Sequence, residues 1–138
     1  MLQEHLRYDP YYYAPKPEQQ AKALKQKEIR KAIGGKNSFV LVADDDGVIG
    51  YSSAKIDPDR PFLVDSIGYI PNVAVLKEHR KHGVGRKLLD ETVRELKKRG
   101  AKTISITVDL KNTAAITLYK EAGFVDYYAD MRLIYGGN

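Results

Sequence analysis

The chain contains no cysteine. Disulfides, thiolate nucleophiles and cysteine-ligated zinc are therefore excluded, and such a composition suits a reducing compartment. Long apolar runs are absent too, since none approaches the ~18 residues needed to span a bilayer. The opening Met1-Leu2-Gln3-Glu4-His5 lacks the basic-then-apolar layout of a secretory leader. No internal repeat, low-complexity tract or interdomain linker is visible. These absences lead to the expectation of a cytoplasmic protein with no membrane partner and no metal, whose residues 1–138 form one domain.

What is present reads as an ordinary globular protein, with 43% hydrophobic and 30% charged residues. A chain of this size buries about two thirds of its unfolded surface, enough for a real core. Lysine and arginine outnumber acidic residues 23 to 18, a formal charge of +5. That balance fits an anionic cofactor, a nucleic acid or a plain solvated surface. The basic residues fall in one short segment and on helix faces, without interleaved aromatics, so no nucleic-acid partner is expected.

Met1 to Pro17 carries Tyr8, Tyr11, Tyr12 and Tyr13 among three prolines, which disfavours a long helix or a central strand. The tyrosines could line a substrate mouth, but packing over the domain's flank is the preferred reading. Glu18 to Ile33 is helix-permissive, with a thin stripe of Ala21, Leu24, Ile29 and Ile33, and Gly34-Gly35 stops it. Ser38 to Ala43 and Val48 to Ile56 read as strands around the hairpin signal Asp46-Gly47. Asp57 to Pro61 is a loop on turn chemistry, and Phe62 to Leu76 is a third strand. Pro71 removes a ladder donor from that strand, which implies a bulge or an unpaired edge at Pro71-Asn72.

Val84 to Arg99 is the clearest helix, with Val84, Leu88, Leu89, Thr92, Val93 and Leu96 on one face and Gly100 as its stop. Thr103 to Val108 alternates as a strand. Asn112 can cap a helix to about Ala122, closed by Gly123. Phe124 to Tyr128 and Met131 to Tyr135 read as a closing pair of strands. Hairpins followed by strand–helix–strand crossovers imply an α/β fold, a mixed sheet with helices on its faces.

Between the third strand and the strongest helix lies Arg80-Lys81-His82-Gly83-Val84-Gly85-Arg86. Glycines let the backbone turn tightly and expose its N–H groups, and a helix start adds partial positive charge. With four basic or potentially basic side chains nearby, a diphosphate is a natural guest. The blander reading is a plain glycine-containing turn whose basic residues face solvent. Two other phosphate-binding patterns fail on spacing. A P-loop Lys-Ser/Thr after the glycine is missing, and position 88, where the dinucleotide fingerprint has its third glycine, is leucine.

Val73 to Leu89, with Arg80-Lys81-His82-Gly83-Val84-Gly85 at its centre, resembles motif A of the GNAT superfamily of acyl-CoA N-acetyltransferases, Arg/Gln-x-x-Gly-x-Gly/Ala. Asn112 to Phe124 is similar to that family's motif B, Asn-x-x-Ala-x-x-Leu-Tyr-x-x-x-Gly-Phe. The two motifs stand in the family's order, and the resemblance runs from about Phe39 to the C-terminus.

The resemblance implies a mostly antiparallel mixed sheet with bulged, splayed central strands, acetyl-CoA as co-substrate, and a role for each motif residue. Backbone amides from Arg80, Lys81, His82, Gly83, Val84, Gly85 and Arg86 are expected to hold the diphosphate. Val73, Ala74 and Val75 are expected to bind pantetheine like an added strand. An N–H at Val73 or Ala74 would polarise the acetyl carbonyl. Asn112 is expected to face the pantetheine arm, to cap its helix, or both. Tyr119 is expected to protonate the leaving thiolate, as a phenol of pKa near 10 can.

The base is left open. Some family members use a glutamate on the bulged strand, where Tyr69 aligns here, and Asp65, His79, His82 or a water chain are alternatives. The acceptor is expected to be an amine on a peptide, protein or small molecule, and a homodimer is compatible with this reading. Residues 127–133 are loosely similar to the closing hairpin of family members that acetylate protein N-termini. The competing reading is an acyl-CoA-binding regulatory module without turnover, against which Asn112 and Tyr119 argue.

Overall fold

Turn chemistry sets the first strand pair. In a computed structural model that describes residues 18–58 and 66–135, β1 (Ser38–Asp44) and β2 (Val48–Asp57) pair antiparallel. Asp46 and Gly47 between them adopt positive φ, and the Gly47 N–H donates to Asp44 Oδ1 at 3.0 Å. Helix α1 (Glu18–Gly34) precedes this hairpin and is tied to it by Ser38 Oγ, which donates to the Ala32 carbonyl at 2.6 Å. Its stripe is thinly covered, since Leu24 and Ile33 stay exposed. The Tyr-rich opening, Asp65 and the start of the expected third strand lie outside the described residues.

Four strands form one sheet in the order β1-β2-β3-β4, with β3 (Ile67–Val75) antiparallel to β2 and β4 (Thr103–Ile106) parallel to β3. Helix α2 (Val84–Lys98) makes the crossover between β3 and β4. Its apolar stripe buries Leu88, Leu89 and Leu96 on the sheet face that carries Gly50, Ser52 and Gly68. A Cβ at Gly50 would meet the Ala74 carbonyl oxygen at 2.8 Å and Leu88 Cδ1 at 3.2 Å, so glycine is what lets the helix lie this close. A polar contact crosses this layer between Ser52 Oγ and Thr92 Oγ1 at 2.6 Å, both fully buried. Burying that pair is tolerable because each hydroxyl satisfies the other and Thr92 also donates to the Leu88 carbonyl. Tyr51, one residue along from Ser52, points to the opposite face, and there Glu28 of α1 acts on it electrostatically. Helices therefore serve both faces of the sheet.

The bulge expected at Pro71 is present. Asn72 faces Ser53 and Tyr69 faces Lys55, so Ile70 and Pro71 together oppose Ala54 alone. The last β3–β4 pair is Ile70 with Ile106. Beyond it β3 continues to Val75 with β2 on one side only, and its other edge has no neighbouring strand among the described residues.

Beyond Ile106 the structure departs from the sequence reading. The strand expected to reach Val108 stops at Ile106, and the expected closing strands at 124–128 and 131–135 are not formed. Residues 124–135 have neither helix nor strand, and Tyr128 and Met131 are more than nine-tenths exposed. Aromatic and β-branched content gives a segment the capacity for a strand, but a ladder partner makes it one. None pairs with it among the described residues. The described residues divide into two compact units, one ending at Thr107 and the other beginning at Val108. No helix among the described residues is long and apolar enough to cross a membrane.

Candidate active site

After Val75 the chain makes a single 3₁₀ turn at Lys77–His79, then runs extended through Arg80 (φ −77°, ψ 163°). Lys81 follows in the left-handed region at φ 62°, and Gly83 repeats it at φ 82° as the residue that opens α2. A left-handed conformation at a lysine costs about 1–3 kcal/mol and persists only where the surroundings impose it. Successive turns of this kind aim neighbouring N–H groups into one concavity, a common anion cradle.

The first ladder bond of α2 is Lys87 N–H to the Gly83 carbonyl at 3.0 Å, and no side chain caps the helix. The N–H groups of Val84, Gly85 and Arg86 thus point out of the helix start without an intrahelical acceptor. No acidic residue stands in that first turn to compete for them. Lys81, His82 and Gly83 are exposed, and Val84, Gly85 and Arg86 are half-buried. Two of the basic side chains are partly engaged. Arg80 Nε donates to the Val75 carbonyl at 2.9 Å, clamping the loop to the end of β3, and Arg86 pairs with Asp90 at 3.0 Å.

The open edge of β3 has a definite polarity. Leu76 N–H donates to the Ile49 carbonyl at 2.8 Å, which makes that opposed pair a hydrogen-bonded one. Bonded and non-bonded pairs alternate in an antiparallel ladder. Ala74 opposite Tyr51 therefore directs its main-chain groups at β2, whereas Val73 and Val75 direct theirs away from it. Of the two candidates for polarising a carbonyl, Val73 and not Ala74 presents an N–H at the open edge.

Asn112 and Tyr119 belong to the second unit, on helix α3 (Thr113–Glu121). Asn112 caps it, its Oδ1 accepting from the Ala115 N–H at 3.1 Å, and its amide NH₂ is left over for another acceptor. The helix ends on Gly123 at φ 101°, with Phe124 N–H bonded to the Tyr119 carbonyl and Gly123 N–H to the Lys120 carbonyl. That double bond closure fixes Tyr119 three positions before the cap. Its ring lies 6.1 Å from that of Phe124, and burial raises its hydroxyl pKa above the usual value of 10.0.

Around Tyr69, where the family can carry a glutamate, the structure brings together residues that sequence reasoning did not single out. Tyr69 Oη and Thr107 Oγ1 are 3.4 Å apart, and Lys55 Nζ stands 5.3 Å from the Tyr69 ring centroid. The signal that could have found Lys55 is strand register, which the bulge displaces by one residue. Of the other candidate bases, His79 is half-buried and His82 is exposed.

Comparison with known proteins points the same way. The model of the Acetyltransferase (GNAT) family matches residues 2–124, including the opening stretch where the motif resemblance is silent. N-alpha-acetyltransferase 30 of Schizosaccharomyces pombe is 36% identical over 90 residues, which cover 65% of this chain and 58% of that protein. An N-alpha-acetyltransferase of Sulfurisphaera tokodaii is 34% identical over 104 residues, covering 65% of this chain and 62% of its own. The chain thus spans about three fifths of the length of these relatives. A solved mutant protein of Bacillus halodurans shares the fold at a TM-score of 0.82, with 21% identity, over 97% of this chain and 86% of that one. With the family model matched over 2–124, the chain belongs to the acetyltransferase (GNAT) family.

Proposed function

We propose that this chain is a single N-acetyltransferase domain spanning both compact units, which moves the acetyl group of acetyl-CoA onto a primary amine. The observation that carries the proposal is the continuity of two main-chain surfaces. An uncapped helix start, free of acidic residues and preceded by two left-handed residues, follows directly on a strand edge that offers Val73 and Val75. A diphosphate joined to an amide-bearing arm fits that pair of surfaces. The amides of residues 80–86 would hold the diphosphate, and Val73 and Val75 would bond the pantetheine arm.

Acetyl-CoA supplies the acetyl group as a thioester. The amine nitrogen bonds to the carbonyl carbon, the carbon–sulfur bond breaks, and the amine loses a proton. Val73 N–H would stabilise the charge that develops on the carbonyl oxygen. Tyr119 would donate its proton to the departing sulfur, since burial keeps its hydroxyl protonated across the neutral range. Asn112, whose cap leaves its NH₂ group unused, would donate to the same arm.

The acceptor we favour is the α-amino group of a peptide or protein. Tyr69 stands where the family can place a carboxylate base, and an amine that arrives largely neutral does without one. At pH 7 roughly a tenth of an α-amino group of pKa about 7.8 is neutral, against well under ~0.1% of a lysine of pKa about 10.4. The names of the two N-alpha-acetyltransferase relatives support the same choice.

Calorimetry with CoA and acetyl-CoA, paired with thiol release in the presence of peptides, tests the proposal. Gly83→Asp is the decisive variant. A Cβ there meets no atom within 4 Å, but any side chain at φ 82° carries left-handed strain of about 1–3 kcal/mol, so Gly83→Ala is the control that separates this strain from the charge. A like charge about 4 Å from the diphosphate costs enough at an effective dielectric near 20 to predict an affinity loss of at least ~30-fold. Unchanged affinity would overturn the cradle, and binding without thiol release would leave a regulatory module.

A further inference from the structure

Beyond the cradle and the open edge, the described residues shape one more concavity. A cavity of about 480 Å³ lies at the end of the β2–β3 pair, lined among others by Asn37, Lys55, Asp57, Ile67 and Tyr69. Of its strand residues, Lys55, Asp57, Ile67 and Tyr69 face away from α2. Lys55 opposes Tyr69 and Asp57 opposes Ile67, and these pairs alternate with Ile56 and Gly68, of which Gly68 lies against Leu96 of α2. Tyr69, on the cavity wall, is still paired with Ser105 of β4, and the open edge of β3 begins two residues further on, past Ile70. The Tyr69 hydroxyl reaches Thr107, the first residue past β4, at the point where β3 and β4 part. Tyr69 precedes Val73 by four positions, about 13 Å of extended chain before the bulge shortens it.

Lys55 gives this cavity its charge. Its ammonium is held over the Tyr69 ring and forms no ion pair among the described residues. The carboxylate on the same wall, Asp57, already has an interaction of its own. Exposed lysines commonly have no partner and mean nothing by it. Here the cation is oriented by an aromatic face, on the wall of a cavity that ends two residues along β3 from the start of its open edge. Cation–π contact fixes the position of the ammonium without neutralising it, so its field remains available to an anion.

We infer that the cavity reads the acceptor, and that it takes a peptide with acidic side chains close to its N-terminus. The inference rests on the acetyl-transfer reading above. With the amine at Val73, an extended peptide advancing about 3.3 Å per residue brings its fourth and fifth residues to Tyr69 and Lys55. An acidic side chain there meets Lys55, whereas a basic one is repelled. Lys55 is thus a specificity-determining residue, outside the acetyl-transfer chemistry itself.

The test compares matched peptides carrying either glutamate or lysine at the fourth and fifth positions, with wild type, Lys55→Met and Lys55→Glu. Wild type should prefer the acidic peptide by about fivefold in kcat/KM, the size expected of a partly exposed ion pair. Lys55→Met should bring the ratio near one and Lys55→Glu should invert it, with the KM for acetyl-CoA unchanged within about twofold. Lys55 is exposed, so both variants should fold, and their melting temperatures check this. A ratio that Lys55→Glu leaves unaltered overturns the inference. So does a wild type that binds acetyl-CoA yet acetylates neither peptide. Absence of acetyl-CoA binding in calorimetry is a different failure, which removes the acetyl-transfer reading first and this one with it.

Discussion

Helices α2 and α3 end alike and are held differently. Each closes on a glycine at φ near 100°, Gly100 and Gly123, with the next N–H bonded back five residues, Ala101 to Leu96 and Phe124 to Tyr119. Yet α2 buries Leu88, Leu89, Thr92 and Leu96 completely or nearly so, whereas α3 buries no residue fully. Local chemistry defines where both helices stop, and α2 is further anchored by packing against the sheet. The proposed diphosphate cradle therefore rests on an element fixed by the core. The proposed proton donor rests on one specified mainly by its own caps. On the proposed assignment, binding would be preorganised in the first unit and chemistry would depend on the more locally determined second.

The sharpest way to break this contrast is Leu96→Ala. The side chain is fully buried and packs within 3.1 Å of where a Gly68 Cβ would stand, so the sheet beneath has little to collapse with. Unfolding in denaturant should show a loss of about 2–5 kcal/mol, a large share of the ~5–15 kcal/mol typical of a domain. Leu133→Ala, at a position 85% exposed, should shift stability by less than ~0.5 kcal/mol. Equal costs at the two sites would mean that the second unit has a core of its own.

Tyr119→Phe probes the chemical half without touching the cradle. Loss of a general acid predicts a fall in kcat of roughly a hundredfold, with acetyl-CoA affinity kept within about twofold. The pH profile gives a second readout. Burial raises the Tyr119 pKa, so its proton is held to higher pH than in a free tyrosine, and the alkaline decline in kcat should begin above 10.0. The Phe variant should lack that decline, while the rise at lower pH, set by the acceptor amine, should persist in both. An unchanged kcat would remove the acid role from Tyr119.

The same division explains what could be read from the sequence. The glycine turn ahead of α2, the glycine stops, the Asn112 cap and the bulge at Pro71 were legible because each depends on residues within a few positions of one another. Lys55 facing Tyr69 was not, since a bulge displaces register by one residue and sequence shows where a bulge can occur, not how it shifts the partner strand. The choice of Val73 over Ala74 was hidden for the same reason, because it follows from which opposed pair carries the hydrogen bonds. The closing strands failed differently. Tyr127, Tyr128, Met131 and Leu133 supply β-propensity, but propensity cannot name the partner that a ladder requires.

Asn112 offers the smallest and most discriminating measurement, because two roles converge on one amide. Its oxygen caps α3 and its nitrogen is proposed to meet the pantetheine arm. Asn112→Ala removes both, and the lost cap should cost about 1 kcal/mol. In a nine-residue helix with no fully buried side chain, that loss should appear as faster exchange of the Ala115 amide, with no change in the amides of α2. Asn112→Asp separates the roles, since aspartate caps as well as asparagine but cannot donate a hydrogen bond when ionised. Restored protection at Ala115 with acetyl-CoA affinity still reduced would assign the nitrogen to the cofactor arm. Restoration of both would leave Asn112 a cap and nothing more, and the pantetheine contact would fall to the edge of β3 alone.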